Sequence, residues 1–230
     1  KSFIYLIRLD FKKLNNQLNL CFLLPVFFGI LSSIFIFSSL ISFLLLDYKV
    51  LLFSFFFGLI FFSSIRLISS LKPSSTLDFL TVFVGLVIGL SFFFVSSLST
   101  SNSFFSIFLA GFIAISAMLL PGISGSYILL ILGKYEFMLD SISSFNWINI
   151  LIFSLGAIAG ILSFSKMIHY LLKNYYRSTI FFLSGLMMGA LNKVWPWQLD
   201  NKIVLPEGDI LMPFIIFILS GIISYNLKSE

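Results

Sequence analysis

A Pro-Gly break followed by two serines is the part of this sequence best suited to binding an anion. Pro121 lacks an N–H and clashes with the preceding helical turn, so a helix is expected to break there. Gly122 and Gly125 loosen the backbone further. N–H groups freed at half-helix ends carry partial positive charge that suits a phosphate, and the hydroxyls of Ser124 and Ser126 add donors. We predict an anion-binding turn, with a break that only lets helices cross closely as the alternative.

Four further polar side chains are candidates for handling a phosphate or a counter-charge. Tyr135 and Glu136 follow the break, and a carboxylate here could carry a proton, bind a coupling cation or hold a basic residue. The alternative for Glu136 is an ordinary solvated charge at the membrane surface. Lys166 and His169 are three residues apart and so share one helix face. They predict a phosphate-receiving or proton-handling pair, with a lysine that reaches toward the headgroups as the alternative.

The composition sets the environment of these residues. Of 230 residues, 59% are hydrophobic and 10% charged, and the mean hydropathy is +1.10. Soluble domains carry about 25% charged residues, so most of this chain must face lipid rather than water. With one Cys and one His the sequence predicts no Cys/His metal site and no cofactor. The sequence indicates an all-α, multi-pass membrane protein, a single integral domain over residues 1–230, with no nucleic-acid partner.

The sequence predicts about six membrane-spanning helices, for each of which roughly 20 apolar residues are needed to cross without help from flanking residues. Residues 1–18 mix apolar and basic positions and predict an amphipathic segment at the headgroups. Trp195, Pro196 and Trp197 are typical of an interfacial aromatic belt, with gripping of a lipid as the alternative. The six predicted spans are 20–46, 51–65, 79–98, 147–172, 179–191 and 210–225.

The stretch 104–133 predicts a re-entrant hairpin rather than a seventh crossing. Broken backbone at membrane depth is tolerated only when it is buried in protein or lines a wet cavity. The apolar piece after Pro121 is also too short to cross before Lys134. Charge placement agrees, because Lys173 and Arg177 fall on the cytoplasmic side, where basic residues concentrate, only if the hairpin does not cross.

Two parts of the chain resemble each other. Gly-Ile-Leu-Ser at 29–32 and a later Phe-Gly-Leu at 57–59 correspond to Gly-Ile-Leu-Ser at 160–163 and Ser-Gly-Leu at 184–186. The two segments run in opposite directions across the membrane, which predicts an inverted-repeat transporter. Residues 19–100 form the first repeat and 104–227 the second. Because only the second contains a hairpin, we expect another hairpin upstream of Lys1.

Residues 116–136, Ser-Ala-Met-Leu-Leu-Pro-Gly-Ile-Ser-Gly-Ser-Tyr-Ile-Leu-Leu-Ile-Leu-Gly-Lys-Tyr-Glu, closely resemble a signature of the bacterial polyprenyl-phosphate (undecaprenyl-phosphate) transporter family. Its pattern is Pro-Gly, a hydrophobic residue, Ser-Gly-Ser, an apolar run and Gly-x-Tyr-Glu. The stretches 54–59 and 184–197 are also similar to that family. The family's first signature, of Pro-Gly-x-Ser-Gly-Gly-Thr type, does not occur here, which agrees with a start upstream of this chain.

The resemblance implies return of undecaprenyl phosphate from the outer to the inner leaflet of the bacterial cytoplasmic membrane, which recycles the carrier for cell-envelope synthesis. It implies a transporter rather than an enzyme, coupling to protons or sodium ions, and a polyprenyl-phosphate lipid and the bilayer as partners. Assembly as a homo-oligomer stays open. The alternatives are a secondary transporter or channel for an ion or small anionic solute, or a membrane-embedded lipid phosphatase. Residue chemistry and the family resemblance together give the expected substrate-binding residues, which are Pro121, Gly122, Ser124, Gly125, Ser126, Tyr135, Glu136, Lys166 and His169.

Overall fold

The computed structural model describes residues 20–95, 101–199, 202–206, 208 and 210–226, and in these the fold is almost entirely helical. A short 3-10 helix, Leu191–Val194, precedes two-residue strands at Gln198–Leu199 (β1) and Lys202–Ile203 (β2), which pair antiparallel. The α-helices are α1 (Leu20–Asp47), α2 (Lys49–Ser70), α3 (Thr76–Phe94), α4 (Phe104–Met118), α5 (Gly125–Ile131), α6 (Tyr135–Ser143), α7 (Trp147–Asn174), α8 (Tyr176–Ala190) and α9 (Leu211–Asn226).

The chain divides into two compact units, residues 1–52 and 53–230. In the first unit, α1 is 28 residues long and contains Pro25 in its first turns. The Tyr48 N–H donates to the Leu44 carbonyl, and the Tyr48 ring contacts Phe43 edge-on. The amphipathic segment predicted for residues 1–18 lies outside the described residues.

The predicted helical runs are confirmed as helices, including the break at Pro121, which falls between α4 and α5. The helix α6 is not expected from the sequence, because the charges and serines of residues 134–146 are typical of a loop. Within the described part of the chain, three helices are long and apolar enough to cross a membrane: the Leu24–Asp47 part of α1, α2 and α7. Shorter apolar helices are Thr76–Phe92, α4 and α9. Large apolar side chains are exposed along these helices, as expected for a membrane protein.

In the second unit, α3 and α8 cross through glycines at matching spacing. Gly85 and Gly89 on α3 face Gly185 and Gly189 on α8, and in each helix the two glycines are four residues apart, the small-xxx-small pattern. A Cβ at Gly85 would collide with the Phe182 carbonyl, so only glycine permits this approach. Because Gly85 meets the Gly185 turn and Gly89 meets Gly189, the two helices run parallel.

The hairpin helix α4 packs along α7 in the same way. Gly156 and Gly160 on α7 lie against the carbonyls of Phe108 and Phe112, and Gly111 on α4 lies against the Phe153 carbonyl. Such contacts let backbones approach closely where lipid supplies no hydrophobic driving force between helices.

The two ends of the α4–α5 hairpin meet at one buried ammonium group. Lys134, which follows α5, is fully buried and donates to the Ser101 carbonyl at 2.6 Å and to Asn102 Oδ1 at 2.7 Å, just ahead of α4. Burial lowers the pKa of the Lys134 ammonium from its ordinary value. The lysine also lies over the Phe137 ring, 5.6 Å from its centroid. The hairpin therefore begins and ends at the same place in the fold.

From Phe53 onward, α2 packs against α9. Gly58 lies beside Ser220 and the Phe217 carbonyl, and Ser63 and Ser224 share a hydrogen bond of 2.8 Å between their hydroxyls. The Arg66 guanidinium donates to the Ser224 carbonyl at 2.6 Å. These contacts hold α2 and α9 parallel over their length.

Candidate functional site

The Pro-Gly turn is built by a glycine with a left-handed backbone. Gly122 has φ +88°, a conformation that costs other residues free energy. Its Cα position also packs tightly, since an added Cβ would lie 2.8 Å from Ala190 Cβ. Gly125 opens α5 beside the Ala114 carbonyl of α4. The turn therefore sits between the end of α4 and the end of α8.

A cavity of about 370 Å³ lies next to this turn, within the size range of small-ligand sites. We call it the turn cavity. Its lining is mostly apolar, with the Ser124 and Tyr127 hydroxyls and one lysine as its polar groups. The lining residues are Gly89, Phe92, Gly122, Ile123, Ser124, Tyr127, Ala190, Lys193 and Val194.

Lys193 supplies the positive charge in the turn cavity. Its Nζ lies 3.4 Å from the centroid of the Tyr127 ring, a close cation–π contact. The Tyr127 hydroxyl donates to the Phe92 carbonyl, which fixes the ring against α3. The helix α5, which follows the turn, has only seven residues and can build only a small dipole. The ammonium group is therefore the stronger attraction for an anion.

A second cavity of about 240 Å³ is lined by Ser126, Tyr127, Leu130 and Tyr135. The Ser124 and Ser126 hydroxyls are 2.8 Å apart and hydrogen-bonded, so they connect the two cavities. Five of the sequence-predicted residues, Pro121 to Ser126 without Ile123, thus lie together at the turn. Tyr135 lines the neighbouring cavity, whereas Glu136 lies exposed in the first turn of α6.

Lys166 and His169 are not part of this assembly. Both are exposed on α7, toward its C-terminal half, and neither lines the turn cavity. Their proposed phosphate-receiving role has no contact to support it in this conformation.

An ion pair ties the N-terminal ends of α3 and α8 together. Arg177 Nε donates to Asp78 Oδ1 at 3.1 Å, and Nη2 donates to Oδ2 at 2.7 Å, a bidentate arrangement. Arg177 also donates to the Lys72 carbonyl and to Ser74. Asp78 in turn accepts the backbone N–H groups of Ser74 and Ser75 in a capping box. The turn cavity lies at the opposite, C-terminal ends of the same two helices.

Sequence reasoning missed Lys193 and Tyr127, and it treated Asp78 and Arg177 separately. The signal for Lys193 was weak but present, since it is a lone cation between the apolar run ending at Leu191 and the tryptophans that follow. From the sequence alone, Asp78 is explained as a carboxylate that suits the start of a helix and Arg177 as a basic residue on the cytoplasmic side. Both begin a helix on the same predicted side, and that placement could have suggested the pair.

Chemically, the turn cavity can bind a group with an anionic head and an apolar body. The Lys193 ammonium and the Ser124 hydroxyl suit the head, and the remaining wall suits hydrocarbon. In the described residues, no cluster of three or more His, Cys, Asp or Glu side chains is arranged to hold a metal ion.

Comparison with known proteins gives two kinds of match. The family model VCA0040-like, described as undecaprenyl phosphate translocase-like, matches residues 1–210. A polyprenyl-phosphate transporter of Vibrio cholerae is 38% identical over 183 residues, which cover 80% of this chain and 59% of that protein. One of Staphylococcus aureus is 31% identical over 224 residues, covering 90% of this chain and 77% of that protein. The chain thus spans about three fifths of the Vibrio relative's length. No solved structure matches it.

Proposed function

The chain belongs to the undecaprenyl phosphate translocase-like family, and on that premise we propose that it translocates a polyprenyl phosphate across the bacterial cytoplasmic membrane. Two relatives carry the name polyprenyl-phosphate transporter. The observation that carries the proposal is the turn cavity, where one lysine and the Ser124 hydroxyl face an otherwise mostly apolar wall. A prenyl phosphate has the same division between an anionic head and a hydrocarbon body.

In this proposal Lys193 leaves the Tyr127 ring to bind the phosphate. The cation–π contact keeps the ammonium partly compensated in the absence of substrate, and a dianionic phosphate attracts it more strongly than a neutral ring does. Ser124 and Ser126 add hydrogen bonds at the turn. The prenyl tail stays in lipid or against the apolar wall.

The inverted repeat is supported by how the helices pair. Gly58 of α2 and Gly185 of α8 occupy corresponding positions of the two predicted repeats. Gly58 packs on α9 and Gly185 packs on α3, so the second helix of each repeat lies on the third helix of the other. Both pairs run parallel. A two-fold relation between the repeats produces this exchange, and transporter sites form at such interfaces.

The hairpin fits the same scheme as a re-entrant element that enters and leaves the membrane on one side. The meeting of its two ends at Lys134 supports this assignment. Coupling to protons or sodium ions is part of the proposal, and the exposed Glu136 beside the second cavity is the carboxylate available for it.

The test is complementation by the full-length protein in a bacterium depleted of its own undecaprenyl-phosphate translocases. The readout is the amount of carrier phosphate exposed on the outer leaflet. The wild type should lower this exposure, and Lys193→Gln should lower the transport rate at least about tenfold, because a charge-assisted contact to the phosphate is lost. Lys193→Arg should retain part of the activity.

Lys173→Gln is the matched control, since Lys173 is an exposed lysine in the last turn of α7, away from the cavity. It should transport normally at equal membrane levels. Unchanged exposure with the wild-type protein in the membrane would reject the lipid substrate and favour a small anionic solute. Full activity of Lys193→Gln would reject the turn cavity as the phosphate site.

A further inference from the structure

We propose that an aromatic slot beside the turn cavity binds the first isoprene unit of the lipid and selects polyprenyl chains over straight acyl chains. This inference rests on the proposed function and adds a second subsite to it. The slot is a cavity of about 160 Å³ between α2, α9 and the segment after the 3-10 helix. Five rings form most of its lining, those of Phe57, Trp195, Trp197, Phe214 and Phe217.

The slot has the size and polarity for one isoprene unit. Its wall is almost wholly apolar. An apolar protein cavity of about 150 Å³ stays dry and holds a benzene molecule. An isoprene unit has one carbon fewer than benzene and is similarly flat around its double bond. The slot can therefore hold one such unit against an apolar wall.

The linings of the slot and of the turn cavity meet at two consecutive residues. Val194 lines the turn cavity and Trp195 lines the slot. These residues are consecutive, so their Cα atoms are about 3.8 Å apart. In a prenyl phosphate, a single oxygen joins the phosphorus to the first isoprene unit. The slot is therefore the nearest of the aromatic-lined spaces along the chain from Lys193, and in this proposal it takes the first unit while the later units extend into lipid.

The rings are held in place before any lipid arrives. The Trp195 indole N–H donates to the Val204 carbonyl at 3.0 Å. Its ring lies edge-on to Phe57 with centroids 5.5 Å apart, and Phe57 lies 6.0 Å from Phe217. Fixed rings lose little conformational entropy on binding. Their faces suit a flat, unsaturated group with a methyl branch better than a flexible straight chain.

The experiment compares two single-chain phosphates with the same main-chain length, farnesyl phosphate and dodecyl phosphate. Binding of each to the full-length protein in nanodiscs is measured by competition with radiolabelled farnesyl phosphate. The wild type should prefer farnesyl phosphate by roughly fivefold, the size of one or two aromatic contacts. Phe57→Leu and Phe217→Leu should each bring the preference close to one while leaving dodecyl phosphate affinity nearly unchanged.

The matched control is Phe104→Leu, at an exposed ring that begins α4 and does not line the slot. It should keep the wild-type preference. Equal affinities of the wild type for farnesyl and dodecyl phosphate would contradict the proposal that the slot binds an isoprene unit. A preference for farnesyl phosphate that persists in both slot variants would contradict it as well. If dodecyl phosphate still binds and Lys193→Gln weakens it, the phosphate site stands without the slot. If neither lipid phosphate binds, both the slot and the proposed function fail.

Discussion

Gly122 meets two separate requirements at the tip of the hairpin. Its φ of +88° favours glycine for conformational reasons, and the nearby Ala190 Cβ leaves no room for a side chain. Gly208 shares the first requirement, with φ +80°, but an added Cβ there would meet nothing within 4 Å. A comparison of substitutions at the two glycines therefore separates the cost of the left-handed backbone from the cost of the contact with Ala190.

We predict that Gly122→Ala impairs the protein more than Gly208→Ala. Both variants carry a backbone cost of about 1 kcal/mol for a left-handed alanine. Gly122→Ala also pushes the turn away from α8 and distorts the turn cavity, so transport should fall severalfold. The measurements are transport in the depleted strain and the midpoint of thermal unfolding in detergent. Equal effects of the two variants would mean that the contact with Ala190 is unimportant.

The residues of the turn were predictable because Pro and Gly act locally. A missing N–H and a positive φ determine the break wherever the chain places it. Lys193 and Tyr127 were not predictable in this way, since 66 residues separate them and only tertiary packing brings them together. For Lys166 and His169, the three-residue spacing does predict that the two side chains share a helix face. It does not predict which other residues that face contacts.

At the scale of elements, glycine pairs determine which helices can pack. In the crossing of α3 with α8, a Cβ at Gly185 would collide with the Val82 carbonyl. A backbone carbonyl cannot rotate away as a flexible side chain can. Substitution therefore has to separate the helices or unwind a turn.

Gly185→Ala should destabilise the protein by about 1–3 kcal/mol, the usual cost of overpacking. Gly29→Ala in α1 is the matched control, because an added Cβ there meets nothing within 4 Å. In a helix the control should be neutral or slightly stabilising. The measurement is the fraction of each variant that stays monodisperse after heating in detergent. A Gly185→Ala protein as stable as the control would contradict the close crossing.

Hydropathy was enough to predict most helices, since lipid imposes helical hydrogen bonding on any long apolar run. It failed at α6, a surface helix with a polar composition, for which the apolar signal is absent. Hydropathy also gives no information on partners. The pairing of α2 with α9 and of α3 with α8 depends on glycines at the contacts. Which glycines lie at a contact is seen only in the folded structure.

For the molecule as a whole, the turn cavity and the Asp78–Arg177 pair lie at opposite ends of the α3–α8 pair. Ala190 follows Arg177 by 13 residues of helix, a distance of about 20 Å. The bidentate pair holds the far end of the two helices together while the cavity occupies the near end. In the proposed transport cycle, that far end has to loosen for the substrate to leave there.

We predict that Asp78→Asn lets the cavity open toward the side of the ion pair. The test uses a Ser124→Cys reporter in a background without other thiols, in which Cys21 is replaced by Ser. An impermeant maleimide is applied to right-side-out and inside-out vesicles. The wild type should react mainly from one side, and Asp78→Asn should raise the reaction from the other side several-fold.

Asp140→Asn is the control, at an exposed carboxylate on α6 away from α3 and α8. It should leave the labelling pattern unchanged. If Asp78→Asn also leaves the pattern unchanged, the ion pair does not restrain opening.

The hydrogen bonds of Lys134, which join the two ends of the hairpin, limit how the hairpin can move. Splaying the hairpin at its base would break the two hydrogen bonds of the Lys134 ammonium group, so we expect the hairpin to tilt as one element about that point. The long arm, α4, has 15 residues and a length of about 22 Å, so a tilt of about 10° at the base moves the tip by about 4 Å. That travel exceeds the length of a hydrogen bond. We therefore expect a small rearrangement near Lys134 to change the contacts of the Pro121 turn at the other end of the hairpin.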